Sequence, residues 1–141
     1  MIWDRLSIME ILSNGFTLEI CPGAFPLSTD SIALADFAKL PKNAQVLDLG
    51  AGCGTLGLLL CAKDPSCRVT GLELDEKAHE TALKNIASND LADRLSSICT
   101  DLTRIPCSMA GKFDVCISNP PYFTAGPASR TLQNARREDQ C

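Results

Sequence analysis

The stretch Val46-Leu47-Asp48-Leu49-Gly50-Ala51-Gly52-Cys53-Gly54-Thr55-Leu56-Gly57-Leu58 decides the fold. A short, mostly apolar run of strand length is closed by three alternating glycines. A helix-like apolar segment follows, Thr55–Lys63, and Asp64-Pro65 stops it. Glycines in such a loop let the backbone turn tightly and approach a ligand that a side chain would hold off. The helix begins at once, so its first N–H groups, unpaired within the helix, face the same place.

Outward from this unit the pattern of strand then helix repeats. Residues 68–74 read as a second strand and Glu76–Ser88 as a second helix. Residues 95–100 form a weaker third strand and 113–118 a fourth, which Asn119-Pro120-Pro121 ends abruptly. Upstream, 16–20 alternates apolar and polar between the turn signals Gly15 and Cys21-Pro22-Gly23, as a half-buried strand would. Ser28-Thr29-Asp30 then caps a helix through Ile32, Ala33, Leu34, Phe37 and Ala38, ended by Pro41. The expected fold is α/β, Rossmann-like: a partial parallel sheet of order 3-2-1-4, counted from Val46, with helices on both faces. An N-terminal segment, 1–27, carries one short strand, and 28–141 form the ligand-binding domain. Ligands of such sheets bind beyond the carboxyl ends of the strands.

Glu73, at the end of the second strand, is spaced from the loop as a carboxylate that accepts ribose hydroxyls would be. A dinucleotide site uses the same parts, and Gly52-Cys53-Gly54-Thr55-Leu56-Gly57 fits G-x-G-x-x-G literally. Against it, Asp48 opens the loop, where an anion repels a pyrophosphate and suits the ammonium of a methionine. The match also starts late, with Gly57 inside the helix pattern. A glycine turn without a ligand is the third reading, and it leaves Glu73 unexplained.

Composition sets broad limits. The chain has 141 residues, 45% hydrophobic and 21% charged, which suits one globular domain. No apolar run is long enough to span a bilayer. The N-terminus lacks a basic stretch followed by an apolar one, so no signal peptide is expected and the cytoplasm is the expected location. None of the eight cysteines forms Cys-x-x-Cys, which points to reduced core thiols rather than a metal or redox centre. His79 stands alone and receives no role. The net charge of −4 divides into −6 over residues 1–102 and +2 over 103–141.

Asn119-Pro120-Pro121-Tyr122-Phe123 is the most specific signal in the chain. Two prolines fix two φ angles and remove two donors, so the corner accepts hydrogen bonds rather than donating them. The Asn119 side-chain oxygen and the Pro120 carbonyl can accept both hydrogens of one –NH₂ group. A conjugated amine is a poor nucleophile, and holding both hydrogens favours pyramidalisation, so orientation supplies most of the rate. Tyr122 offers a flat face to a flipped base. The bland alternative is a stiff strand-to-helix turn.

The glycine loop from Asp48 resembles the first motif of class I S-adenosylmethionine-dependent methyltransferases. That resemblance implies S-adenosyl-L-methionine as cofactor, held by Asp48, Gly50, Gly52 and Gly54, with Glu73 on the ribose. It further implies that Asp101 and Leu102 lie at the adenine and that Asn119 borders the cofactor. On its residues alone, Asp101 reads as a helix N-cap. Asn-Pro-Pro-Tyr resembles the motif of methyltransferases acting on adenine, cytosine, guanine or glutamine amides. The wider chain resembles the bacterial tRNA adenine-N6 methyltransferases, which modify the adenine beside the anticodon of a valine tRNA. The residues that carry this are Trp3-Asp4-Arg5-Leu6, Asn14-Gly15, Ser28 to Leu34, Asn119 to Phe123, Gly126 and Ala135-Arg136-Arg137-Glu138. Arg137 departs from the family's usual histidine.

The resemblance implies Asn119, Pro120 and Tyr122 as catalytic residues, Tyr122, Phe123 and Arg136 on the substrate, a tRNA partner, and no metal. It also implies further strands after Glu138. The chain is therefore expected to be a truncated member, its fourth strand left at an edge open to self-association. The runner-up is a protein glutamine methyltransferase, although those usually carry a helical domain before the loop and only about 45 residues precede it here. A non-catalytic remnant is the other alternative.

Overall fold

The computed structural model describes residues 6–24 and 26–120. Strands β1 (Ile8–Ile11) and β2 (Thr17–Ile20) pair antiparallel as a hairpin. Helix α1 (Thr29–Phe37) follows, capped by Ser28, whose hydroxyl accepts from Ser31 N–H at 3.2 Å. Then come β3 (Gln45–Leu49), α2 (Thr55–Lys63), β4 (Arg68–Glu73), α3 (Glu76–Ser88), β5 (Leu95–Cys99) and β6 (Val115–Ser118). The last four strands form one parallel sheet of order β5-β4-β3-β6. This is the expected order 3-2-1-4, with β3 at the point where the strand order reverses.

The sheet register puts Val46, Val69, Leu95 and Val115 on one face, with Asp48, Gly71, Ser97 and Ile117 one step further along. Val46, Val69, Leu95 and Ile117 belong to the hydrophobic core, together with Leu58 and Leu60 of α2 and Ile86 of α3. Gly57 belongs here rather than to a ligand. A Cβ at this position would stand 2.5 Å from Leu95 Cδ1, so any larger residue would push the Leu95 side chain aside where α2 meets β5. The sequence anticipated helices on both faces. Among the described residues, α2 and α3 both pack on the core face, and on the other face Ile98 of β5 is 42% exposed and Cys116 of β6 is exposed. Right-handed crossovers that move in one direction across the sheet place both helices on the same side. The fourth strand was expected at an edge in this chain, and inner only in a longer family fold. Among the described residues β6 bonds only to β3 and forms the outer strand on its side.

The hairpin is docked by side chains rather than by a third strand. The Asn85 amide on α3 accepts from Glu19 N–H (2.7 Å) and donates to Glu19 C=O (2.8 Å). One turn later Asn89 does the same with Thr17, at 2.9 and 2.8 Å. Each amide presents one acceptor and one donor, as a neighbouring strand would, so the edge of β2 is satisfied without a β partner. Lys63 closes the other end of the assembly. Its ammonium donates to the carbonyls of Ala35, Asp36 and Ala38 at 2.8–2.9 Å, satisfying the carboxyl end of α1.

The sequence reading missed β1. Ile8 to Leu12 followed by Asn14-Gly15 is a hairpin signal, and Asn14 Oδ1 accepts from Phe16 N–H at 3.1 Å inside the turn.

Candidate functional site

The carboxyl ends of all four parallel strands carry the residues singled out in the sequence. After β3 the loop turns through Gly50, Gly52 and Gly54, at φ of 71°, 58° and 88°. It is tied down along its length. Gly50 N–H and Ala51 N–H both donate to Leu72 C=O at 2.9 Å. Gly52 N–H donates to Glu73 Oε1 at 3.0 Å. Cys53 C=O accepts from the Asn85 side chain at 2.8 Å. Beyond Gly50 and Gly52 lies open space: a Cβ on either would meet nothing within 4 Å. The positive φ excludes most other residues on backbone grounds. Any side chain there would also stand in the space that a ligand needs.

Glu73 ends β4 and is 4% exposed. Its second oxygen accepts from Asp75 N–H at 3.1 Å. A carboxylate offers about four acceptor positions, so two bonds leave room for donors from a ligand. Asp75 in turn caps α3, accepting from Lys77 N–H at 2.9 Å.

Asp48 lies inside the sheet, 1% exposed, and its Oδ1 meets no hydrogen-bond partner among the described residues. Burial first, and the charge of Glu73 second, push its carboxyl up to about 8 from 3.8. The anion expected from the sequence is therefore held mainly as the neutral acid at pH 7. This has a measurable consequence. The folded protein keeps the Asp48 proton to higher pH than the unfolded chain does, so deprotonation favours unfolding. The urea midpoint should fall as pH rises from 3.8 to about 8. The slope from this one group is at most about 1.4 kcal/mol per pH unit. Asp48→Asn, which keeps the shape and cannot ionise, should flatten the fall; an unchanged slope would remove Asp48 as its source.

After β5, Asp101 caps a one-turn 3-10 helix, Leu102–Arg104. Its Oδ1 accepts from Thr103 N–H (2.9 Å) and the Thr103 hydroxyl (2.7 Å). The helix-cap role read from the residues alone is thus present. Leu102 is half-buried beside it.

After β6, Ser118 donates its hydroxyl to Leu49 C=O at 2.9 Å, joining the ends of β6 and β3. Asn119 is half-buried, and its Nδ2 donates to Ser31 Oγ of α1 at 3.2 Å. Pro120 follows, exposed. Tyr122, Phe123 and Arg136 lie outside the described residues, as does the segment from Ala135 to Glu138.

Asp48, the glycines, Glu73, Asp101, Leu102 and the Asn119-Pro120 corner therefore share one end of the sheet. Sequence reasoning missed Ser31 and Asn85, which hold two of these parts in place. The signal for Asn85 was two asparagines four apart on a helix whose apolar positions, Ala82 and Ile86, flank the first.

Comparison with known proteins adds a second line. The methyltransferase small domain family matches residues 28–136. A tRNA1(Val) (adenine(37)-N6)-methyltransferase of Vibrio campbellii is 32% identical over 132 residues, 94% of this chain and 54% of that protein. The protein of the same description from Shewanella halifaxensis is 37% identical over 112 residues, 78% of this chain and 45% of that one. Among solved structures, the Thermus thermophilus 16S rRNA N2 G1207 methyltransferase in complex with AdoMet and guanosine superposes with a TM-score of 0.67. It is 25% identical, covering 92% of this chain and 38% of its own. The chain spans about half the length of the curated relatives it matches.

Proposed function

The chain belongs to the methyltransferase small domain family, and from that premise we propose that it is the cofactor-binding part of an enzyme that methylates the exocyclic N6 amine of an adenine in tRNA. One observation carries the reading. The acceptor corner Asn119-Pro120 stands at the same sheet end as the glycine loop and Glu73, with β6 and β3 adjacent in the sheet. A methyl donor and an amine held at these two places would be neighbours. The relatives named for adenine-N6 methylation of tRNA1(Val) support the choice of substrate. The same reading puts the protein with its RNA in the cytoplasm; no described helix is long and apolar enough to cross a membrane.

The residues present fit S-adenosylmethionine. The open space beyond Gly50 and Gly52, the buried Oδ1 of Asp48, whose ionised form a bound ammonium would favour, and the spare acceptor positions of Glu73 form a set suited to a cationic amino acid joined to a ribose. In this proposal Asp48, Gly50, Gly52 and Gly54 surround the methionine part, Glu73 accepts the ribose hydroxyls, and Asp101 and Leu102 border the adenine. When bound, the cofactor supplies an electrophilic methyl group on a sulfonium. The Asn119 oxygen and the Pro120 carbonyl hold the two hydrogens of the substrate amine and aim its lone pair. Tyr122, Phe123 and Arg136 engage the RNA.

Two measurements test this. Calorimetry should show S-adenosylmethionine binding more tightly than NAD. Glu73→Ala should weaken the cofactor by about 10-fold or more, since both ribose bonds and the Gly52 tether disappear, at roughly 1–3 kcal/mol. Tighter NAD binding would sink the cofactor assignment. Tritium from labelled cofactor should then appear in unmodified tRNA; label in release factor alone would make the substrate a glutamine amide.

A further inference from the structure

Asn119 is held by a short chain of hydrogen bonds that begins at the cap of α1. Its Nδ2 donates to Ser31 Oγ at 3.2 Å. Ser31 is 7% exposed and lies one turn into α1, and its hydroxyl stands 3.1 Å from Ser28 Oγ. Ser28 Oγ also accepts from Ser31 N–H at 3.2 Å, so the cap is rigid. A hydroxyl has one proton. Either hydroxyl of the pair can donate to the other; the arrangement that matches Asn119 Nδ2 donating to Ser31 has the Ser31 proton on Ser28 and the Ser31 oxygen accepting. The amide of Asn119 is planar with its oxygen and nitrogen on opposite branches. Seating Nδ2 against Ser31 therefore turns Oδ1 the other way.

The orientation matters for chemistry. An asparagine rotated by 180° about its last bond would offer an N–H₂ group where an acceptor is required, and two amines would face each other. The energy difference between the two orientations of an unheld amide is small. An amide held by a buried acceptor is committed to one of them before substrate arrives, and preorganisation of this kind is a main source of rate in orientation-limited reactions. Resting on the function proposed above, we infer that Ser31 is a positioning residue for amine methylation. It fixes the Asn119 amide so that Oδ1, not Nδ2, serves the substrate amine, with Ser28 as the anchor of the relay.

Ser31→Ala, Ser31→Thr, Asn119→Ala and the double variant Ser31→Ala/Asn119→Ala, made in the full chain, test this. Each is assayed for tritium transfer to unmodified tRNA, for adenosine monophosphate binding in the presence of S-adenosylhomocysteine, and for S-adenosylhomocysteine binding alone. Ser31→Ala should lower kcat and nucleotide affinity by about tenfold, the cost of one lost positioning bond, while S-adenosylhomocysteine affinity stays within about twofold. Ser31→Thr, which keeps the hydroxyl, should recover most of the loss. The double variant should be no worse than Asn119→Ala alone, because Ser31 acts through Asn119. Additive losses in the double variant, or equal losses in all three measurements, would show a structural role only and overturn the inference. A wild-type protein that transfers label while Ser31→Ala matches it removes the inference and leaves the proposed function standing. A wild type that neither transfers label nor binds the nucleotide removes both.

Discussion

Asn119→Ala is expected to reduce methyl transfer by about two to three orders of magnitude, the effect of deleting a preorganised polar contact to the reacting group. Cofactor affinity should change by less than about twofold, because Leu72, Glu73 and Asn85 anchor the glycine loop. The substitution removes the acceptor for one amine hydrogen and cuts the contact to Ser31. The Pro120 carbonyl alone can still hold one hydrogen but cannot set the direction of the lone pair. Asn119→Asp keeps an acceptor oxygen for the amine and loses only the Nδ2 donor to Ser31. It should therefore retain measurably more activity than the alanine variant. Tritium transfer for turnover and calorimetry for cofactor binding separate the effects; parallel losses in both would move Asn119 from the amine to the cofactor.

Asn85→Ala is expected to produce the largest loss of stability. Asn85 is 3% exposed and serves three backbone groups: Glu19 N–H, Glu19 C=O and Cys53 C=O. Each buried group left without a partner costs about 1–3 kcal/mol. Water entering the vacated volume offsets part of that, so a net loss of roughly 2–4 kcal/mol is expected against a total of about 5–15 kcal/mol for a domain. Asn85→Asp separates hydrogen bonding from packing. It is nearly the same shape and can still accept from Glu19, but it sets a carboxylate against two carbonyl oxygens. It should be at least as damaging as alanine at neutral pH. Asn89→Ala, at a half-exposed position, should cost only about 1 kcal/mol. Urea melts of the three variants settle the order. Cofactor affinity should fall with Asn85→Ala and not with Asn89→Ala, since only Asn85 reaches the glycine loop.

The parallel sheet was legible because its strands are short apolar runs followed by glycine or proline, and those breaks are local chemistry. The strand order followed from the pattern of crossovers. Loop residues Gly50 and Gly52 and the acid Glu73 were legible for the same reason: a positive φ and a carboxylate at a strand end both leave marks in the sequence. The hairpin partner of β2 was missed although Asn14-Gly15 announced it, because Ile8 to Leu12 includes only one charged residue and lacks a clean alternation. Ser31 and Asn85 were illegible for a different reason. Their meaning lies in partners 88 and 32 residues away, Asn119 and Cys53, and no local pattern encodes such a pairing. Asp48 was read as an anion from its type alone. Its burial at the centre of the sheet, beside Glu73, favours the protonated form, and burial is a property of the assembled fold.

The asparagine docking of the hairpin also bears on the order of events during synthesis. Glu19 and Thr17 wait for partners 66 and 72 residues downstream. At the usual pace of translation, about 5–20 residues per second, that separation is roughly 3–14 seconds. Over this interval Leu18 and Ile20, fully buried in the finished fold, belong to a two-stranded ribbon without its helix. A ribbon of that size is not stable on its own. The N-terminal segment, made first, therefore settles among the last, and a nascent chain stalled before α3 should present it to proteases and chaperones.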